Sequence, residues 1–159
     1  EETGLSFVEN ALIKARHACS QTGLPALADD SGIIIDALNG APGLISAHYA
    51  GVHGDSAGNI AKVLSELAQL DNHVRTARFY CCMVLLKHAN DPQPIIAEGI
   101  WHGEILPAPL GELGFGYDPI FWDPNFQQSA AQMPVALKNR ISHRGQALAQ
   151  LQLKLQTHG

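Results

Sequence analysis

The N-terminal part of the chain carries apolar residues at the spacing of one face of an α-helix. They are Val8, Ala11, Leu12, Ala15 and Cys19. Ser6 and Glu9 form the capping-box pattern that precedes many helices, and Gly23 followed by Pro25 is typical of a helix end. We therefore predict a first amphipathic helix between these two signals.

After this helix the pattern changes to that of strands. Residues 26–28 favour a short strand, which runs into an acidic turn at residues 29–32 (DDSG). The isoleucine run that follows predicts a second strand over residues 33–38, ending at the hairpin-type turn Asn39-Gly40. On this interpretation two adjacent carboxylates lie between strands.

Residues 41–58 are rich in glycine and predict an irregular loop. A second helix follows the loop, with apolar positions at Ile60, Val63, Leu64 and Leu67. The segments Thr76–Leu86 and Ile95–Ile105 favour strands, and the turn Asn90-Asp91-Pro92 between them predicts a hairpin.

Ser142 is a typical N-cap for a last helix. Its apolar positions are Leu148, Leu151 and Leu155. Helices and strands alternate at first and a hairpin follows, so the fold class is α/β or α+β, with a mixed sheet flanked by helices.

Composition and charge narrow the classes of function. The length of 159 residues suits one domain, which we expect to span residues 1–159. The net charge is −5 and no Lys or Arg stripe is present, which argues against binding nucleic acid or a membrane surface. The three cysteines are an odd number without a disulfide-rich composition, so reduced thiols and a cytoplasmic location are expected. No apolar run reaches membrane-spanning length.

The adjacent carboxylates Asp29 and Asp30 are the first candidate site. At a strand end their side chains would point to opposite faces, so only one of them need act in chemistry. Such a carboxylate suits Mg²⁺, which takes oxygen ligands and keeps waters that bridge to phosphates. The alternative is an Asx-type turn in which both aspartates accept hydrogen bonds from backbone N–H groups.

Two further segments could bind a ligand. Residues 115–119 (FGYDP) combine aromatic faces that can stack on a base, a glycine that admits a ligand to the backbone, and a carboxylate acceptor. A packed turn between strands is the alternative. Residues 138–145 bring basic side chains to a helix entry, where phosphate or a keto oxygen would fit, and a solvated charged face is the alternative.

Histidine and cysteine positions do not predict a site. The eight histidines are scattered without a metal-binding pattern, which argues against zinc. Cys81-Cys82 lies in a strand that looks buried and lacks a flanking positive charge. We interpret the pair as small core residues.

Four segments taken together resemble the inosine triphosphate pyrophosphatase family. They are residues 2–11 (ETGLSFVENA), 28–32 (ADDSG), 114–119 (GFGYDP) and 141–144 (ISHR). Their order and spacing match the family as well, and residues 41–51 and 76–79 add agreement, so the resemblance covers nearly the whole chain. It implies an α/β fold with a mixed, elongated β-sheet flanked by helices.

The resemblance also implies an activity, which is hydrolysis of ITP, dITP and XTP to the monophosphate and pyrophosphate, with Mg²⁺, usually as a homodimer. It makes Asp30 the water-activating base and a metal ligand, and it makes Glu2, or else Glu1, the second residue at the metal. Ser31 would contact the substrate beside Asp30.

For the rest of the substrate, the resemblance implies the following binding residues. They are Phe115, Gly116, Tyr117 and Asp118 for the purine, Lys138 for the substrate, and His143 and Arg144 for base recognition. Hypoxanthine and xanthine present a keto oxygen that would accept from Arg144, whereas the amino group of adenine would face another donor.

The sequence departs from the family at its start. Family members carry a first strand and a glycine-asparagine-lysine loop that grips the triphosphate, so we expect a chain that is N-terminally truncated relative to them. His48 stands where an arginine is common, and residues 133–137 replace a more acidic stretch. Two alternatives stay open: a catalytically weak nucleotide-binding or dimerisation remnant of the fold, and a sugar-phosphate or general phosphatase that releases orthophosphate.

Overall fold

The computed structural model of the chain describes residues 3–71 and 74–158. The helices are α1 (Phe7–Thr22), α2 (Ser56–Ala68), α3 (Val135–Ile141) and α4 (His143–His158). The strands are β1 (Ala26–Ile35), β2 (Thr76–Leu86), β3 (Ile95–Ile105), β4 (Phe121–Asp123) and β5 (Gln128–Ser129). Short 3₁₀ helices are formed by Asp36–Leu38, Gly43–His48, Asp118–Ile120 and Ala130–Gln132.

The strands form a five-stranded sheet in the order β1-β2-β3-β4-β5. Strand β4 pairs antiparallel with β3 and with β5, with Trp122 opposite Glu104 and Ser129. Strands β2 and β3 have the predicted bounds and are neighbours in the sheet. The predicted fold class, a mixed α/β arrangement of a sheet and helices, is confirmed. The short elements α3, β4 and β5 were not predicted.

The chain forms two compact units. Unit 1 comprises the chain up to Ser31, the segment Tyr80–Ile100 and the chain from Ile141 onward. Unit 2 comprises Gly32–Phe79 and Trp101–Arg140. The strands β1, β2 and β3 each contribute residues to both units. The single domain over residues 1–159 stays a prediction.

Helix α1 confirms the first predicted helix. The Oγ atom of Ser6 accepts the N–H of Glu9 at 3.3 Å, and Gly23 ends the helix with a φ of 69°. In a capping box the Glu side chain accepts the N–H of the N-cap residue, which is Ser6 here. The Glu9 carboxylate instead accepts the N–H of the preceding residue, Leu5, at 2.9 Å. The buried cluster that includes the small residues of α1 comprises Ala11, Ala15, Cys19, Cys82, Val84 and Leu86.

The acidic turn predicted at residues 29–32 is wrong, because these residues lie inside β1. Gly32 does not have the positive φ that a glycine turn would use, so the backbone stays extended. An extended backbone sends Asp29 and Asp30 to opposite faces, and each carboxylate meets a cation there, which relieves the repulsion between them. The carboxylates therefore lie within a strand and not between strands.

The second predicted strand is shorter than expected for the same reason. Residues 33–35 complete β1, and Asp36–Leu38 forms a 3₁₀ turn. Asn39 and Gly40 both have positive φ, 56° and 95°, as the predicted turn requires.

In unit 2, an aromatic cluster joins β2, β3 and β4. The centroid of the Phe121 ring lies 4.5 Å from the ring centroid of Phe79 and 4.8 Å from that of Trp101. The indole N–H of Trp101 donates to Asp123 at 2.9 Å, which satisfies the one polar atom of that buried ring.

The segment 41–58 is more ordered than predicted. It contains the 3₁₀ helix Gly43–His48, and α2 begins at Ser56 with Asp55 as its N-cap. Ser46 accepts the N–H of Ile33 at 3.0 Å through its Oγ atom, and the amide oxygen of Asn59 accepts the N–H of Ala50 at 2.8 Å. These long-range side-chain bonds order a glycine-rich segment that local propensity assigns to a loop. The predicted second helix is confirmed with an earlier start.

Helix α4 confirms the last predicted helix. Its N-cap is Ser142, whose Oγ atom accepts the N–H of Gly145 at 3.1 Å. Of the predicted apolar positions, Leu151 is buried, whereas Leu148 and Leu155 are exposed. The small residue Ala147 packs with Leu151 in the core of unit 1 instead.

The polar side of α4 forms hydrogen bonds along β3. Gln146 accepts the N–H of Ile100 at 3.2 Å, Gln150 accepts the N–H of Glu98 at 2.9 Å, and Lys154 donates to the carbonyl of Ile96. Four helical residues rise about 6 Å and two strand residues about 6.6 Å, so the two spacings match. The helix therefore satisfies strand backbone groups that β4 does not reach, and its position along β3 is defined.

Candidate functional site

The first group of candidate residues lies in unit 1, around β1. The carboxylate of Asp30 is 3.5 Å from the ammonium of Lys14 on α1, and the two side chains are 11% and 35% exposed. Asp30 is thus a nearly buried carboxylate beside a cation that water still reaches. Ser31 follows it in β1 and is half-buried.

Arg144 and His143 begin α4 in the same unit. The Nη1 atom of Arg144 is 3.1 Å from Oδ2 of Asp29, and both side chains are well exposed. His143 is half-buried, and its carbonyl oxygen lies against Gly99 of β3. The structure thus brings Asp29, Asp30, His143 and Arg144 into one compact unit.

Lys14 is a residue of this group that the sequence did not single out. It lies on the first helix, where a lysine is typical of a solvated polar face. Its contact with Asp30 becomes visible only in the structure, where β1 brings Asp30 next to α1. Lys14 lies three residues after the family-like segment 2–11, and this proximity was the available signal.

Cys81 in unit 1 is a buried thiol and free of any disulfide. Burial raises its pKa to about 12, and the negative charge of Asp29 adds to the effect. The thiol is therefore neutral near pH 7, which agrees with the interpretation of Cys81 and Cys82 as core residues.

The second group lies in unit 2 and is centred on Asp118. Its carboxylate accepts the N–H of Phe115 at 3.0 Å and forms a close ion pair with Lys138 of α3. The Asp118 and Lys138 side chains are 6% and 18% exposed. The Lys138 ammonium also lies 4.9 Å from the centroid of the Phe115 ring. The structure therefore joins Phe115, Asp118 and Lys138 into one hydrogen-bonded and cation–π cluster.

Glycines shape this cluster. Gly114 has a φ of 76°, and a Cβ atom there would stand 2.9 Å from Lys138 Nζ and would overlap the Asp118 carboxylate. Gly116 has a φ of 60° and open space where a Cβ would be. The turn therefore leaves Phe115 74% exposed, so its ring is available for stacking.

Tyr117 points the other way and is buried. Its hydroxyl donates to the carbonyl of Ser46 at 2.7 Å, and burial raises its pKa well above the ordinary tyrosine value. Tyr117 therefore anchors the turn to the segment Gly43–His48, whereas Phe115 presents the exposed aromatic face.

The predicted Mg²⁺ ligands are described only in part, because Glu1 and Glu2 lie outside the described residues. Among the residues that the structure does describe, no three His, Cys, Asp or Glu side chains converge as a metal cage. Mg²⁺ commonly uses one or two carboxylates and completes its shell with waters and substrate phosphates. Asp30 offers one oxygen-donor carboxylate of this kind, and its side chain is 11% exposed.

Membrane insertion has no support in the helices. Within residues 3–71 and 74–158, no helix combines the length and the apolar character needed to cross a bilayer.

Comparison with known proteins identifies the family. The Ham1 family profile matches residues 1–154. A dITP/XTP pyrophosphatase of Xylella fastidiosa is 62% identical over 156 residues, which cover 98% of this chain and 78% of that protein. The chain therefore belongs to the Ham1 family, and the predicted resemblance to inosine triphosphate pyrophosphatases is confirmed.

Solved structures of Ham1 proteins agree with the fold. The HAM1 protein from Coxiella burnetii matches with a TM-score of 0.96 and 55% identity, over 99% of this chain and 80% of that one. The Ham1 protein of Staphylococcus aureus matches with a TM-score of 0.92 and 39% identity, over 100% of this chain and 81% of that one. The family assignment thus extends from sequence to structure.

Proposed function

We propose that this chain hydrolyses the non-standard purine nucleoside triphosphates ITP, dITP and XTP to the monophosphate and pyrophosphate, which cleanses the nucleotide pool. The observation that carries the proposal is the nearly buried carboxylate of Asp30 beside Lys14, in a chain 62% identical to a protein named dITP/XTP pyrophosphatase. A catalytically weak remnant of the fold is not favoured, because relatives that are 57–62% identical are named as dITP/XTP pyrophosphatases.

Asp30 is the proposed general base. Its carboxylate accepts a proton from a water molecule while the water oxygen bonds to the α-phosphorus. The bond between that phosphorus and the oxygen bridging to the β-phosphorus breaks, and pyrophosphate leaves with the electron pair. Because β1 fixes the Asp30 backbone and little of the side chain is exposed, the base is held in place before the substrate binds.

Charge neutralisation is the second requirement of this reaction. Lys14 supplies a cation 3.5 Å from the base. The same ammonium would neutralise phosphate charge of a bound substrate. Mg²⁺, when bound, would supply Lewis-acid neutralisation of the phosphates. Asp30 would hold the ion, together with Glu2 or Glu1 as the resemblance implies, and Ser31 would contact the substrate.

Purine binding is proposed for the turn at residues 115–118 in unit 2, as the resemblance implies. The exposed ring of Phe115 stacks on the purine, while Gly116 leaves room next to it and Tyr117 anchors the turn. Asp118 and Lys138 bind polar atoms of the substrate at the same turn.

The residues at the start of α4 complete the proposal. His143 and Arg144 recognise the base, with Arg144 donating to the keto oxygen that adenine lacks.

The test is product analysis in H₂¹⁸O with Mg²⁺ and each of ITP, dITP, XTP and ATP. We expect pyrophosphate and monophosphate in equal amounts, with ¹⁸O in the monophosphate, and poor turnover of ATP. Appearance of ¹⁸O in pyrophosphate would mean that water attacks the β-phosphorus. That result would exclude the proposed attack of an Asp30-activated water on the α-phosphorus. Release of orthophosphate would favour the general phosphatase alternative.

A homodimer and a cytoplasmic location are proposed with the activity. The first rests on the family resemblance and the second on three free thiols. Sedimentation velocity of the purified chain tests the dimer, which should run at twice the monomer mass.

A further inference from the structure

Asp29 has no role in the proposed reaction, although it adjoins the base Asp30. Its carboxylate points to the other face of β1 and pairs with Arg144 at 3.1 Å. The pair joins a strand to the second residue of α4, two elements that are far apart in the chain. Ion pairs at this degree of exposure contribute little to stability, so a purely stabilising role explains the contact poorly.

The backbone of Arg144 is already defined without this ion pair. Ser142 caps α4, Gly99 admits its first turn, and Gln146 and Gln150 bond to N–H groups of β3. What these contacts leave undefined is the guanidinium, which sits at the end of a long side chain with many rotamers.

The charge of Arg144 also lies where the helix does not favour it. A cation near a helix N-terminus is opposed by the macrodipole, so an Arg side chain alone would turn away toward solvent. Asp29 offsets that effect and keeps the guanidinium over β1. The contact engages Nη1 of Arg144, and Nε and Nη2 remain as donors in a fixed orientation.

We propose that Asp29 is a positioning residue that holds the Arg144 guanidinium ready to donate to the keto oxygen of the purine. This inference rests on the proposed function, because it assigns the orientation of a donor that the function uses. Asp29 acts through Arg144 and does not touch the reacting atoms.

The experiment is a double-mutant cycle with Asp29→Asn and Arg144→Ala. Asp29→Asn should lower kcat/KM for ITP about five- to tenfold, mainly through KM, and should leave the value for ATP within about twofold. In the Arg144→Ala background the same Asp29→Asn change should cost less than about twofold. Asp36→Asn is the matched control, because Asp36 pairs with Arg78 at the same 3.1 Å in unit 2. It should leave the ITP to ATP ratio unchanged.

Two results would overturn the proposal. The first is a fall of kcat/KM for ITP that is as large in the Arg144→Ala background as in the unaltered protein. The second is an equal fall of kcat/KM for ITP and ATP. Either result would mean that Asp29 acts on Asp30 or on folding. Calorimetric binding of inosine and adenosine monophosphates gives a readout without turnover, and Asp29→Asn should weaken only the inosine nucleotide. An unaltered chain that binds inosine monophosphate selectively but does not hydrolyse ITP would overturn the proposed function alone. An unaltered chain that hydrolyses ITP but binds the two monophosphates equally would overturn the inference about Asp29 alone.

Discussion

The carbonyl oxygen of His143 lies so close to Gly99 that a Cβ atom on the glycine would overlap it. The same Cβ would stand 2.7 Å from the backbone nitrogen of Ala147 and 2.8 Å from Cβ of Gln146. Two of these three neighbours are helix backbone, which cannot turn away as a flexible side chain can. Gly99 of β3 therefore sets how closely the first turn of α4, with Arg144 on it, approaches the sheet.

We predict that Gly99→Ala displaces α4 and weakens both stability and recognition. The free energy of unfolding should fall by about 1–3 kcal/mol, as for other overpacked sites. The kcat/KM for ITP should also fall, because Arg144 moves with the helix. Urea unfolding and steady-state kinetics measure the two effects.

Gly23→Ala is the control for that substitution. Gly23 ends α1 with a φ of 69° and has open space around it, so alanine there strains the backbone without overlap. It should cost about 1 kcal/mol and leave kcat/KM for ITP unchanged. Equal kcat/KM for ITP in the Gly99→Ala and unaltered proteins would refute the role of Gly99 in placing α4.

Asp30→Asn should abolish catalysis and leave the fold intact. Asparagine has the shape of aspartate but accepts a proton poorly, so kcat should fall by about 10²–10⁴-fold. Stability should change little, since the partner Lys14 is 35% exposed and can be hydrated when the pair is lost. The adjacent Asp29→Asn variant should keep most of its kcat. Thermal unfolding below the assay temperature in Asp30→Asn would instead assign Asp30 a structural role.

Several elements were predictable because their signals are local. Ser6 and Gly23 act on residues within one turn of themselves, so α1 begins and ends where the sequence indicates. Strands β2 and β3 follow from β-branched and aromatic runs with the Asn90-Asp91-Pro92 turn between them. Local chemistry decides these elements before tertiary contacts form.

The segment 29–32 was not predictable, because the groups that keep it extended are distant in the chain. Lys14 and Arg144 neutralise the two carboxylates from α1 and α4, and neither partner is visible in a short window of sequence. The same limit applies to the site. The resemblance singled out Asp118 and Lys138 separately, whereas their pairing required the turn at Gly114.

Asp91 should make stability depend on pH in the acid range. Its carboxylate accepts the N–H groups of Lys87 and Gln93, both at 2.9 Å, and these bonds lower its pKa below the ordinary value of 3.8. A lowered pKa means that the stabilisation is complete above the ordinary value and is lost as pH falls through the folded-state value. Asp91→Asn should therefore flatten the decline of unfolding free energy below about pH 4.

Urea unfolding from pH 6 to pH 2 measures this difference. Asp71→Asn is the control, since Asp71 is exposed, and it should decline in parallel with the unaltered protein. Parallel curves for Asp91→Asn and the unaltered protein would show that the bonds to Lys87 and Gln93 do not depend on the charge of Asp91.

Lys138 and Asp118 should be coupled in their contributions to the free energy of unfolding, and the loss of Lys138 should also raise KM. Lys138→Met removes the cation from the Asp118 carboxylate, which is 6% exposed and still accepts the N–H of Phe115, and should cost about 2–3 kcal/mol. Adding Asp118→Asn should restore part of that loss, because the uncompensated charge is removed. If Lys138 binds phosphate, KM should rise in parallel for ITP and ATP in every variant that lacks Lys138, and a rise for ITP alone would assign Lys138 to the base.

Urea unfolding measures the stability coupling. Additive losses of unfolding free energy in the double variant would show that the ion pair does not couple the two residues.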